Sequence, residues 1–219
     1  MSERTLQCPY HFIAIEGVIG VGKTSLCRLL AEKFGGRCFL EDFQSNPFIA
    51  DFYRSPRDFA FKAQLFFLIS RFQQHMEMPP PDMFHSPLIV DYIFQKDRIF
   101  ASVNLDDNEL GLYNLVCDVL EPRLRIPELV VYLQASTSQL LKRIRRRNRE
   151  YEKSISTEYL EALNNAYNDF FFHYTQAPVF IVNTDEINFV DKPEQLDDLA
   201  RNIAQHHSGI TFYSPKGTL

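Results

Sequence analysis

Apolar residues fall into five short runs separated by longer stretches of helical spacing. The runs are His11-Phe12-Ile13-Ala14-Ile15, Arg37-Cys38-Phe39-Leu40, Leu88-Ile89-Val90, Leu129-Val130-Val131-Tyr132-Leu133 and Val179-Phe180-Ile181-Val182. Runs of this length without polar alternation suit strands buried on both faces. Between the first two, Ser25-Leu26-Cys27-Arg28-Leu29-Leu30-Ala31 repeats at helical spacing and Gly35-Gly36 stops it. A short helix is predicted over residues 46–53, broken by Pro56, and a long one over 58–78, ended by Pro79-Pro80-Pro81. The long helix carries Phe59, Phe61, Leu65, Phe66, Leu68, Ile69 and Phe72. It is apolar nearly all round, so it is buried or packs on a partner. Further helices are predicted over 105–120, 137–149, 158–173 and 194–205. Strands alternating with helices predict an α/β fold with a five-stranded parallel sheet, flanked by helices and joined by right-handed crossovers. With no repeat, linker or low-complexity segment, residues 1–219 are read as one domain.

Composition narrows the partners. The net charge is −5 and the pI about 5.7, which is no footprint for polymeric nucleic acid. No apolar run reaches membrane-spanning length, and the first ten residues lack a signal-peptide core. Cys8, Cys27, Cys38 and Cys117 form no C-x-x-C pair, so they read as reduced structural thiols of a cytoplasmic protein. Most of the 20 phenylalanines are assigned to the core.

Candidate chemistry begins at Gly17-Val18-Ile19-Gly20-Val21-Gly22-Lys23-Thr24, which fits G-x-x-x-x-G-K-[ST] between a strand and a helix. The glycines let successive N–H groups face one concavity, and the helix that follows adds its free N–H groups. Lys23 can reach the outer phosphates of a nucleoside triphosphate, and the Thr24 hydroxyl can hold Mg²⁺. Glu41 and Asp91 stand at the carboxyl ends of the second and third runs, where open α/β sheets bind ligands. Gln64 and Arg71 lie two turns apart on one face of the apolar helix and need partners, internal or from a ligand. Arg143, Arg145, Arg146, Arg147 and Arg149 form either a solvated face or a lid of guanidiniums over a phosphate. Arg143 and Arg147 are expected to share one face, and Arg145 and Arg149 another.

Taken together, these residues resemble the deoxyribonucleoside kinase family, which includes deoxyguanosine, deoxyadenosine and deoxycytidine kinases. The resemblance spans about residues 11–189. It implies a P-loop kinase with strand order 2-3-1-4-5, by analogy with small P-loop kinases, and an arginine-rich lid over about 143–153. It implies ATP binding by Gly17, Gly20, Val21, Gly22, Lys23, Thr24, Ser25, Arg147, Asp185 and Phe189, the last two in a 183–189 loop that cradles adenine. Glu41 falls where the family keeps its catalytic glutamate, assisted by Lys23, Arg143 and Arg147. Tyr53 and Glu152 resemble residues that hold the sugar, and Gln64, Arg71 and Asp97 those that read the base, with Phe100 a candidate to stack on it. Thr24 and Asp91 fit the Mg²⁺ site. A deoxynucleoside and ATP are the expected partners, in salvage, and a homodimer packed through the long helix is expected. In one departure, Asp91-Tyr92-Ile93 stands where the family usually has an acid followed by arginine and serine. Arg98 or a lid arginine is expected to replace the missing arginine.

Gln64 suits adenine or cytosine, Asp97 an exocyclic amine, and Arg71 a carbonyl such as guanine O6. Deoxyadenosine and deoxyguanosine therefore rank first, deoxycytidine next and thymidine last. A nucleoside monophosphate kinase is the nearest rival, since Arg54 and Arg57 could grip an acceptor phosphate. A GTPase-like switch lacks its N-K-x-D stretch, and a silent nucleoside-binding regulatory subunit would not need Glu41, Lys23 and Thr24 together.

Overall fold

The first apolar run becomes β1 (Phe12–Gly17), buried along its whole length. Its neighbours are β3 (Leu88–Val90) on one side and β4 (Leu129–Gln134) on the other, both parallel to it. β2 (Arg37–Phe39) pairs beyond β3, and β5 (Val179–Asn183) beyond β4. This computed structural model describes residues 6–80, 86–185 and 187–214. Among them the sheet has six strands rather than the predicted five, in the order β2-β3-β1-β4-β5-β6. The extra strand, β6 (Ile210–Tyr213), runs parallel to β5 at the edge. Three of its four residues are exposed, so it carries no continuous apolar signal. The order of the first five strands is the predicted one.

The helices flanking the sheet are α1 (Lys23–Phe34), α2 (Ile49–Arg54), α3 (Pro56–Glu77), α4 (Lys96–Asn104), α5 (Asp107–Leu120), α6 (Thr137–Arg147), α7 (Thr157–His173) and α8 (Pro193–Gln205). Pro56 starts α3 at its first position, where a missing N–H costs nothing. The predicted stop at Pro79-Pro80-Pro81 is only partly visible, because Pro81 lies outside the described residues. α4 is unforeseen, a short helix whose buried face includes Lys96 and Asp97 beside Ile99 and Ala101. α5 begins in a capping box between Asp106 and Glu109. α6 is shorter than predicted: Asn148 takes a left-handed φ of 53° and closes it, so Arg145 and Arg149 share no helix face. None of the described helices is long and apolar enough to cross a membrane.

α3 is not apolar all round. It buries Ala60, Ala63, Gln64, Leu68, Arg71 and His75, while Ile69 and Met76 are exposed at 39% and 58%. The polar pair Gln64 and Arg71 thus faces inward. All four cysteines are free, and Cys27 on α1 lies with its sulfur 2.8 Å from that of Cys38 on β2.

Candidate active site

The carboxyl ends of β1, β2 and β3 open into a cleft of about 900 Å³. Its floor is the loop joining β1 to α1. Gly17 has φ 149°, and a Cβ there would meet the Leu133 carbonyl oxygen at 2.4 Å, so only glycine lets β1 turn this close to β4. Gly22, with φ 113°, caps α1 against Phe189. Glu16, fully buried just before the loop, accepts the Gly17 N–H at 2.8 Å, the Ile93 N–H at 2.9 Å and the Tyr167 hydroxyl at 3.2 Å. The loop's entry is therefore tied to the end of β3 and to α7. Lys23 curls back to donate to the Gly17 and Val18 carbonyls at 2.6 and 3.3 Å. Burial, and then the charge of Lys96, lowers its pKa to about 8.

From the loop a polar line crosses the cleft. The Thr24 hydroxyl donates to Asp91 Oδ2 at 2.7 Å, and Asp91 Oδ1 accepts the Glu41 N–H at 2.7 Å. Glu41 Oε1 accepts Arg71 Nε at 2.7 Å and a second Arg71 nitrogen, while Oε2 accepts Lys96 Nζ at 2.6 Å. Burial alone would raise the Glu41 pKa, but Arg71 and Lys96 outweigh it and hold the carboxyl well below the usual carboxylate range. Arg71 continues the line to Asp97 Oδ1. Beyond that point two buried oxygens, Asp97 Oδ2 and Gln64 Oε1, find no partner among the described residues. Phe67, under the Arg71 guanidinium at 4.8 Å, and Phe100 form apolar walls nearby.

The arginines stand at the mouth. Arg147 Nε donates to Glu152 at 3.1 Å, and Arg149 reaches the same carboxylate at 3.4 Å while lying 4.1 Å over the Phe43 ring. Glu152 is buried, and Tyr53 stacks on Tyr151 at 6.0 Å beside it. Arg143 is spoken for by the fold: it donates to the Val21 carbonyl at 3.0 Å and to the Thr184 hydroxyl and carbonyl at 2.8 and 2.7 Å. It braces the phosphate loop against the turn after β5. Asp185 accepts the Ser136 N–H at 2.9 Å. In the 183–189 loop, Glu186 lies outside the described residues.

Of the site residues read from the sequence, all but Gly17 and Asp97 line this cleft. Gly17 lies behind the loop, and Asp97, fully buried, meets the site through Arg71. The expected replacement by Arg98 does not occur. That side chain is bound to Asp118 at 2.6 Å, Asn114 at 3.0 Å and Glu121 at 3.0 Å. Tyr92 is buried, its hydroxyl unpartnered among the described residues, and it does not line the cleft. The residue that sequence reasoning passed over is Lys96, next to Asp97 in a helix too short to stand out by periodicity.

Residues 13–208 match the family model for deoxynucleoside kinase. The chain belongs to the deoxynucleoside kinase family. Its relatives include a deoxyguanosine kinase of Bacillus subtilis strain 168, 34% identical over 201 residues, covering 89% of this chain and 96% of that one. A deoxyadenosine kinase of Dictyostelium discoideum is 34% identical over 206 residues, covering 91% and 80%. Among solved structures, a deoxyadenosine kinase from M. mycoides with bound dATP matches with a TM-score of 0.77 at 26% identity, over 88% of this chain and 98% of that one. The same kinase with bound dCTP gives 0.74 at 25%, over 89% and 100%. The cleft runs from the loop between β1 and α1, past the Glu41 carboxylate that follows β2, to a buried polar pocket at Gln64 and Arg71.

Proposed function

We propose that this member of the family transfers the γ-phosphate of ATP to the 5′-hydroxyl of deoxyadenosine or deoxyguanosine, with deoxycytidine a poorer acceptor and thymidine the poorest. The observation that carries this is the unbroken polar line from Thr24 through Asp91, Glu41 and Arg71 to Asp97, which joins a phosphate end to a base end. At the base end, Gln64 lines the cleft with its Oε1 a buried acceptor without a donor, while Asp97 lies behind Arg71 and holds its guanidinium in place. The exocyclic amine of adenine, guanine or cytosine supplies one, whereas thymine O4 would set acceptor against acceptor. Phe100 and Phe67 offer apolar faces for the ring.

In the reaction this implies, the loop N–H groups and Lys23 hold the donor's outer phosphates. Tyr53 and Glu152 hold the sugar, and Asp185 and Phe189 border the donor's adenine. Glu41 accepts the 5′-hydroxyl proton as that oxygen attacks the γ-phosphorus. A carboxylate of such low pKa is a weak base. Its larger contribution is to orient the hydroxyl, and proton transfer follows as the oxygen gains phosphoryl character. Arg147 compensates charge on the transferring group, with Arg143 assisting by bracing the phosphate loop and residues 143–153 acting as a lid. Thr24 and Asp91 present hard oxygen ligands that fit Mg²⁺. Among the described residues no group of three or more His, Cys, Asp or Glu side chains is placed to hold a metal. That suits a cation held largely by phosphate and water, which when bound neutralises the donor's outer phosphates.

The acceptor is a nucleoside and not its monophosphate. Arg54 is 79% exposed and pairs with Asp51, and neither it nor Arg57 lines the cleft. A homodimer is supported by exposed apolar residues on adjoining helices, Ile69 and Met76 on α3 with Leu112, Leu115 and Val119 on α5. The protein is assigned to nucleoside salvage in the cytoplasm. The deciding test compares ATP-dependent turnover of deoxyadenosine with that of deoxyadenosine monophosphate: the nucleoside is expected to be the substrate, and turnover of the monophosphate alone would overturn the assignment.

A further inference from the structure

We infer that Lys96 is a positioning residue for the transfer: it fixes the Glu41 carboxylate and holds a positive charge beside the point where the acceptor hydroxyl meets the donor's terminal phosphate. The inference rests on the role proposed for Glu41. Lys96 is the first residue of α4 and is only 5% exposed, unusual for a lysine unless its charge is used. Its ammonium donates to Glu41 Oε2 at 2.6 Å and lies 5.7 Å from the Phe100 ring centroid, and the side chain lines the cleft.

The distribution of charge separates this from an ordinary buried ion pair. Arg71 already grips Oε1 of Glu41 and is shared with Asp97. Lys96 therefore fixes the second carboxylate oxygen, and Glu41 can rotate away from neither. Lys96 and Lys23 both line this cleft. Two ammonium groups facing one cleft repel, which a fold built only for stability gains nothing by keeping. A transferring phosphoryl group, with negative charge spread over three oxygens, relieves that repulsion as it comes between them. Among the described residues, Arg71 and Lys96 are the cations bonded to Glu41, and of these Lys96 carries no second carboxylate.

The test is steady-state kinetics of Lys96→Met, Lys96→Gln and Lys96→Arg with deoxyadenosine or deoxyguanosine and ATP–Mg²⁺, beside the wild type. Folding of each variant is checked by circular dichroism and thermal midpoint. Lys96→Met is expected to lower kcat by about 10²–10³-fold, the usual loss for one electrostatic donor. KM for each substrate should change by less than about threefold, because the interaction grows in the transition state. Lys96→Arg, which keeps the charge, should recover kcat to within about tenfold of wild type, allowing for its different shape. A purely structural lysine would lower the thermal midpoint and leave kcat per folded molecule alone. Folded Lys96→Met with more than about a third of wild-type kcat, or Lys96→Arg no better than Lys96→Met, overturns the inference, since either removes the charge from the mechanism. Should the methionine variant not fold, Lys96→Gln decides by the same threshold. A wild type that phosphorylates no nucleoside would instead sink the proposed function, an outcome read separately from the variants.

Discussion

The Thr24 hydroxyl donates to Asp91 Oδ2 at 2.7 Å, and this bond couples the phosphate loop to the end of β3. Because Asp91 Oδ1 also accepts the Glu41 N–H, one carboxylate sets the phosphate loop and the segment after β2 relative to each other. Asp91→Asn keeps an acceptor for that N–H but removes the charge. The Mg²⁺ concentration for half-maximal rate should rise about 10–100-fold, as for lost partners of metal-site ligands. Rate against Mg²⁺ at fixed ATP measures it, and an unchanged dependence would remove Asp91 from the cation site.

Glu41→Gln preserves shape and keeps one acceptor oxygen for Arg71, while replacing the oxygen that accepts from Lys96 by an NH2 group and removing the charge that attracts the hydroxyl proton. It should cut kcat about 10²–10⁴-fold, the range for a lost general base, with nucleoside affinity by calorimetry nearly intact. Retention of more than about a third of kcat would exclude Glu41 from the reaction, given that range.

Lys23 gives a pH signature. Burial and Lys96 lower its pKa from the ordinary 10.5 to about 8. As pH rises through 8 the free enzyme loses the ammonium, so kcat/KM for ATP should fall. kcat should hold to higher pH, because bound phosphates retain the proton. The effect on folding runs the other way: between 8 and 10.5 the unfolded chain binds more protons at this site, so the Lys23 contribution to stability rises with pH. A parallel loss of ATP affinity and thermal midpoint across that window would point to general unfolding instead.

Arg147 is about one-third exposed and bonded to Glu152, so it has freedom to turn toward a phosphoryl group. Arg147→Ala should lower kcat more than it raises KM for nucleoside. A variant altered only in solubility or midpoint would make the run a surface face.

Strands β1 to β5 were legible as unbroken apolar runs, their order only through the resemblance to small P-loop kinases, and the phosphate loop because its glycines and lysine answer to one geometry. β6 was not legible, since an exposed edge strand has no such run. Nor was the double grip on Glu41. Arg71 announced itself as a charge on an apolar helix, but nothing in residues 96–104 marks Lys96 as facing the cleft until α4 is folded against its neighbours. Arg98 was one of two candidates to replace the missing arginine, the other being a lid arginine, yet Glu121, Asp118 and Asn114 hold it elsewhere.

The pocket past Arg71 is proposed to read a purine deoxynucleoside through Gln64 and through Arg71, which Asp97 holds in place. This reading is tested most directly by kcat/KM of the wild-type protein for deoxyadenosine, deoxyguanosine, deoxycytidine and thymidine, with ATP and Mg²⁺. The two purine deoxynucleosides should give 5′-monophosphates at the highest kcat/KM. Thymidine should be lower by about 10-fold or more, the effect of roughly 1–3 kcal/mol from an unmatched acceptor and a methyl clash. A protein that prefers thymidine, or treats all four alike, would contradict it.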